Sequence, residues 1–294
     1  MRSPPTHPRR LVFCGTPEIA VPTLRALHAA GYELPLVVTR VDKRRRRRGE
    51  PEPSPVKVAA QELGLAVSSQ MDDALGVGAD LGVVVAYGRI IKAHVLDALP
   101  MMNLHFSLLP RWRGAAPVER AILAGDRVTG ACVMALDEGL DAGPVYRCVE
   151  VPIGADETAD DLRGRLVHAG TGLVLEVLAE GLGEPRPQEG EPTYAEKLEP
   201  EDLRLDWSRP STDLARLVRV GGAWTTFRDG RLKVHAAVAV DSSPGAPGEV
   251  VDDVVAAGDG GLRLVEVQAE GRRRQAMGEW SRGARVRSGE RMGG

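Results

Sequence analysis

The sequence predicts an α/β domain built on a doubly wound, mostly parallel sheet, followed by a smaller all-β domain. Three observations carry this. At 294 residues the chain has room for roughly two domains of about 150 residues each. Up to Gly181, short apolar runs alternate with segments of helical spacing, the pattern of parallel strands joined by crossover helices. After Gly181 the texture turns to Gly, Pro and Glu (GLGEPRPQEGEP), and beyond about Asp206 it becomes short alternating segments between turns.

Residues 10–15 (RLVFCG) form an apolar run stopped by Gly-Thr-Pro, a strand and turn, after which Ile19, Leu24 and Leu27 keep helical spacing up to Gly31. Residues 34–39 read as a second strand and 55–63 as a helix. Residues 80–86 read as a strand, apolar throughout after Asp80, as in one buried on both faces of a parallel sheet. Residues 101–105 are another short strand. Pro117 opens a helix through Ala124 that Gly125 stops. Val-rich strands follow at 130–136 and 144–151, then a long helix over 156–181 carrying Leu162, Leu166, Leu173, Leu175 and Leu178. The α/β domain is therefore expected over 10–190, a linker over 191–205 and a second domain over 206–292. Strands at 231–240, 248–251 and 262–267 suit a small barrel or sandwich there.

Composition narrows the class. With 43% hydrophobic and 27% charged residues and a net charge of -3, the chain is an ordinary globular one, not a disordered one. Its longest apolar stretches fall far short of the ~20 residues that span a bilayer. Residues 1–9 lack an apolar run and read as a short disordered leader, not a signal peptide. Cys14, Cys132 and Cys148 are far apart, with no CxxC pair, which argues against both a disulfide framework and a cysteine zinc site. A reducing compartment, the cytoplasm, is expected. Charge is unevenly spread: residues 40–48 carry a local +6, residues 137–161 hold eight carboxylates against Arg147, and residues 270–291 hold seven arginines against three glutamates. Such blocks mark solvated loops and interaction surfaces. With 33 arginines and five lysines, part of this is coding bias.

The first turn, CGTPE, stands where a dinucleotide fingerprint would lie but lacks GxGxxG, so a nicotinamide cofactor is not expected. GxxxxGK[ST], HExxH and close His/Asp/Glu clusters are missing as well, and no metal is expected. What stands out is Asn103-Leu104-His105-Phe106-Ser107-Leu108-Leu109-Pro110. In an extended strand Asn103 and His105 project from one face, and ligands of open parallel sheets sit beyond the strands' carboxyl ends. An amide beside an imidazole can hold a developing oxyanion and move a proton. The acidic glycine loop DEGLDAG at 137–143 could bring Asp141 to His105, and a carboxylate there favours the charged imidazole. Each feature also has a plainer reading: a structural histidine, an aspartate bonding its own turn, Ser107 capping a local turn. From the residues alone the chain suggests acyl or one-carbon transfer and names no substrate.

NLHFSLLPRWRGAAPVERAILAGD and MALDEGLDAGPV closely resemble the methionyl-tRNA formyltransferase family, within the folate-dependent formyltransferase superfamily. FCGTPEIAVPTL, PSPVKVAA, VVVAYGRII, TYAEKL, GAWTTF and EWSRGARVRSGER extend the likeness over almost the whole chain. The resemblance implies an OB-like β-barrel as second domain, binding tRNA, and 10-formyltetrahydrofolate as formyl donor. It implies methionyl-initiator tRNA as acceptor, for translation initiation, by a monomeric cytoplasmic enzyme without metal or membrane. Asn103, His105 and Asp141 would be the catalytic triad: the amine attacks the formyl carbon, Asn103 and protonated His105 hold the oxyanion, and Asp141 holds His105 in its charged form and helps relay the amine's proton. Tyr87, Gly88, Arg89, Ser107, Leu108, Leu109, Pro110 and Asp137 would surround the folate. Arg44, Arg45, Arg46, Arg47 and Arg48, with Lys57, would meet the tRNA. A sugar-nucleotide formyltransferase, a formyltetrahydrofolate hydrolase and an inert RNA-binding module are the competing readings.

Overall fold

The computed structural model describes residues 3–44 and 50–293. The chain divides into two compact units, one of residues 1–118, 128–152 and 162–195, the other of 119–127, 153–161 and 196–294. In chain order the elements up to residue 195 are β1 (Arg10–Gly15), α1 (Val21–Ala29), β2 (Glu33–Val38), β3 (Lys43–Arg44), β4 (Pro51–Glu52), α2 (Pro55–Glu62), β5 (Val67–Ser68), β6 (Leu81–Val85), α3 (Ala93–Ala98), β7 (Met101–His105), β8 (Arg113–Gly114), α4 (Pro117–Ala124), β9 (Val128–Ala135), β10 (Val145–Pro152), α5 (Ala159–Glu180) and β11 (Tyr194–Ala195).

Seven strands form one sheet in the order β10-β9-β7-β6-β1-β2-β5. Neighbours from β5 to β7 run parallel, β9 runs antiparallel to β7, and β10 antiparallel to β9. The chain moves outward from β1 to β2 and β5, then returns to β6 on the other side of β1. That reversal is the doubly wound pattern, with its switch point between β1 and β6. All five residues of β6 are buried, as its unbroken apolar run predicts. On one face Val12, Cys14, Leu36, Val38, Val84 and Met101 pack with Val95 and Leu96 of α3. On the other, a Cβ added at Gly170 of α5 would come within 2.8 Å of Leu104 and 3.2 Å of Ala131. Period-two alternation therefore puts Asn103 and His105 on the α3 face with Met101, at the carboxyl end of β7.

Local chemistry sets the ends. Ser54 caps α2 by accepting the Lys57 amide at 3.0 Å, and Pro55 fills the first turn. The Thr158 hydroxyl accepts the Asp161 amide at 3.2 Å, which starts α5 at Ala159 and not at 156. The expected linker carries β11, which pairs with β8; two-residue strands leave no periodicity to read.

The cysteine reading is corrected. Cys132 and Cys148 stand directly opposite one another on β9 and β10 and form a disulfide. Sixteen residues of separation say nothing of this, because hairpin register decides which side chains face each other. Cys14 is free and buried.

The second unit contains α6 (Ser211–Val220), β12 (Trp224–Phe227), β13 (Gly230–Val240), β14 (Val250–Val251), β15 (Val254–Ala256), β16 (Gly261–Ala269), β17 (Gln275–Ala276) and α7 (Met277–Ala284). Its antiparallel sheet follows the order β12-β13-β16-β15-β14, with β17 on β16. Main-chain bridges from Met292 to Phe227 and from Arg291 to Glu249 join the two edges, making a barrel and not a sandwich. Trp207, Leu214, Phe227, Leu232, Leu262 and Trp280 are among its core residues. Phe227 meets Trp280 edge to face at 5.2 Å. Helices α6 and α7 were not expected from the β texture. In α6 only Leu214, Leu217 and Val218 carry the apolar stripe, too few to stand out among charged neighbours.

Candidate active site

His105 ends β7 and is 6% exposed. Its Nε2 lies 2.8 Å from the Trp112 carbonyl oxygen. A carbonyl only accepts, so Nε2 carries the hydrogen and Nδ1 is left as the nitrogen that exchanges a proton. Nδ1 faces the Asp141 carboxylate, with Oδ2 at 3.6 Å. Asp141 in turn accepts the Gly114 amide at 2.8 Å. Asn103 is half-buried on the same face of β7, and its amide has no hydrogen-bond partner among the described residues. The imidazole and the carboxylate, 36 residues apart in the chain, thus meet at the carboxyl end of β7, with Asn103 on the same face of that strand.

Backbone conformation holds this geometry. Trp112 and Asp141 both have positive φ, 62° and 47°, a region other residues than glycine visit only where the surroundings fix them. The Trp112 amide donates to the Thr193 hydroxyl at 2.9 Å, and the Arg111 guanidinium lies 4.5 Å from the Trp112 ring centroid. Gly143 packs backbone to backbone: a Cβ there would overlap the Ala135 carbonyl, so only glycine lets the 137–143 loop lie this close to β9. Gln188 donates from Nε2 to the carbonyls of Asp141 and Gly143, both at 2.8 Å, and its Oε1 accepts from Arg113 Nη2 at 2.7 Å and Nε at 3.1 Å. Trp112, Arg113, Gly114, Gln188 and Thr193 were missed by sequence reasoning. The one local signal was RWRG following Pro110, a turn too polar to be core.

The other expected site residues are distributed as follows. The Tyr87 ring belongs to the core beside Cys14, so this residue offers its backbone, whose carbonyl takes the Thr16 hydroxyl at 3.0 Å. Burial lifts the Tyr87 phenol above its ordinary range, and Arg89 beside it lowers it in part. Burial pushes the Cys14 thiol up to about 12. Gly88 and Arg89 are exposed, and Arg89 donates to the Ser69 carbonyl at 3.2 Å. Ser107 is fully buried and donates to the Arg111 carbonyl at 2.5 Å, so its hydroxyl serves the turn. Leu108, Leu109 and Pro110 are partly exposed, with a cis bond between the last two. Asp137 accepts the Gly139 amide at 2.9 Å, an Asx turn within its own loop. Arg44 is exposed on β3; Arg45, Arg46, Arg47 and Arg48 lie outside the described residues. Lys57 is paired with Asp42 at 2.6 Å.

Among the described residues, no group of three or more His, Cys, Asp or Glu could hold a metal ion, and no helix is long and apolar enough to cross a membrane.

A doubly wound domain that brings an imidazole and a carboxylate together at the carboxyl end of one strand, with a closed β domain after it, has the layout of a two-domain enzyme. The chain belongs to the formyl transferase family, matching it over residues 9–178 and its C-terminal domain over 197–285. It is 43% identical to the methionyl-tRNA formyltransferase of Clavibacter michiganensis subsp. michiganensis over 95% of this chain and 98% of that one. It is 42% identical to the enzyme of the same name from Streptomyces coelicolor, over 97% and 99%. Among solved structures, HypX from Aquifex aeolicus in complex with tetrahydrofolic acid superposes with a TM-score of 0.65 at 19% identity, over 94% of this chain and 47% of that chain. This chain therefore spans about half of HypX. The N-formyltransferase from Helicobacter canadensis, in complex with folinic acid and dTDP-3-aminofucose, gives 0.66 at 17%, over 86% and 97%.

Proposed function

We propose that this chain transfers the formyl group of 10-formyltetrahydrofolate to the amino group of methionine esterified to the initiator tRNA. One observation carries the choice of acceptor: relatives called methionyl-tRNA formyltransferase align with both domains, at 40–44% identity over at least 93% of this chain. The donor supplies an electrophilic formyl carbon. Asn103 presents its amide N–H groups to the formyl oxygen, a contribution of about 10²- to 10³-fold per donor. Trp112 fixes the His105 tautomer, so Nδ1 removes the proton the attacking amine loses, a role of about 10²- to 10⁴-fold. Asp141 faces that nitrogen at 3.6 Å, and the imidazolium hands the proton to N10 of tetrahydrofolate as its bond to the formyl carbon breaks. Backbone at 87–89, 107–110 and 137 borders the folate. With Lys57 already paired, Arg44–Arg48 supply the attraction to tRNA phosphates. Such a substrate places the chain in the cytoplasm.

The test is to incubate the protein with 10-formyltetrahydrofolate and either charged initiator tRNA or an amino-sugar nucleotide. Formylation of the tRNA is expected, together with its loss by about 10³-fold or more in His105→Ala at unchanged tRNA affinity. Formylation of the sugar instead, or full activity in His105→Ala, overturns the reading.

A further inference from the structure

We infer that Gln188 is a positioning residue that sets where the Asp141 carboxylate stands relative to His105; the inference rests on the reading of those two as reacting groups. The amide of Gln188 uses its whole capacity: two N–H donors and two acceptor lone pairs make four bonds of 2.7 to 3.1 Å. Both donors go to the loop that carries Asp141, onto the carbonyls of Asp141 and Gly143. Both acceptor sites go to one guanidinium, Arg113. That arginine lies between the two residues that hold the reacting groups, since Trp112 accepts from His105 and Gly114 donates to Asp141. Three consecutive residues therefore fix the imidazole, the clamp and the carboxylate.

Gln188 is itself anchored on both sides. Arg186, two residues earlier, exchanges both main-chain hydrogen bonds with Val145, at 2.7 and 2.8 Å. Five residues later, Thr193 takes the Trp112 amide on its hydroxyl and the Arg113 amide on its carbonyl. The segment from 186 to 195 thus straps the 137–143 loop to the 110–114 turn. Asp141 needs such a strap because its φ of 47° is one its own backbone does not favour. The 3.6 Å gap to His105 lies beyond hydrogen-bonding range, so no direct bond holds the pair together.

The test uses the full chain, with Gln188→Leu, which removes all four bonds, and Gln188→Glu, which can still accept from Arg113 but cannot donate to the two carbonyls. The Gln188→Leu kcat is expected to fall by about 10²-fold, as for a misplacement of about 1 Å, with tRNA Kd and the KM for either substrate within about twofold of the parent. Gln188→Glu should fall at least as far, because its lost donors face Asp141. Combined with Asp141→Asn, Gln188→Leu should slow transfer no further, since both act through one group. Backbone hydrogen exchange at Gly114, whose amide is bonded to Asp141, should speed up about tenfold in both Gln188 variants. Unchanged exchange at Gly114 overturns the inference whatever the activity. So does a parent-like kcat in Gln188→Glu, or full multiplication of the two losses in the double variant. Failure of the functional reading looks different: a parent that formylates no tRNA, or an active Asp141→Asn.

Discussion

Replacing Gly114 with alanine perturbs the site at one atom and through two effects that can be sized. The residue has φ 116°, a conformation open in practice only to glycine, and forcing alanine into it costs about 1–3 kcal/mol. The new Cβ would also stand 2.9 Å from the Ala195 carbonyl oxygen, which as backbone of β11 cannot swing aside. Relief requires β8 to move by about half an ångström, and the 2.8 Å bond from Gly114 to Asp141 is lost. A hydrogen bond to a charged group adds about 1.5–3 kcal/mol. Together the loss is about 2.5–6 kcal/mol, a fall in Tm of about 5–24 °C for a domain of this size. The displaced carboxylate should lower kcat by about 10²-fold. Thermal unfolding and single-turnover formylation of charged initiator tRNA measure the two quantities, with filter binding as control for tRNA affinity. A Gly114→Ala protein that melts and turns over like the parent would refute this account of how Asp141 is held.

Two other expectations follow from separate parts of the chain. Replacing Arg44–Arg48 with serine should weaken tRNA binding and reduce its salt slope by about one for each phosphate contact removed; identical slopes would make the run a passive loop. Cys14, fully buried with its thiol at about 12 against an ordinary 9.0, makes stability fall as the solution becomes alkaline. The sign follows from the raised value: below about pH 9 neither state ionises, and between 9 and 12 the unfolded chain alone loses the proton, which favours unfolding. Between pH 9 and 10.5 this amounts to about 2 kcal/mol. Urea midpoints should therefore drop less with pH in Cys14→Ala; parallel curves would exclude the thiol as the cause.

The sequence showed most clearly what depends on burial. The run at 81–85 reads as a central strand because every residue of it is apolar, and helix 117–124 because Pro117 and Gly125 bracket it. Asn103 and His105 were legible as a pair because alternation along one strand fixes their common face. Asp141 could be guessed only as a carboxylate on a flexible-looking loop; its approach to His105 depends on bonds from Gly114 and Gln188, 27 and 47 residues away in the chain. Gln188 was invisible for the same reason. It stands in a Pro- and Glu-rich stretch with the composition of a linker, and its three partner residues lie 45 to 75 residues away. Cys132 and Cys148 show the point most simply, since a hairpin shifted by one residue would have turned them to opposite faces. In the second unit the alternating strands were readable, whereas α6 and α7 each bury only a few residues.

The barrel of the second unit is closed by a single late seam, the bridges that Arg291 and Met292 make to Glu249 and Phe227. Until that seam arrives, a nascent chain holds a curved sheet with two open borders, and open borders are where copies of a chain pair with one another. Exchange of this short segment between copies is therefore the misassembly this architecture most invites.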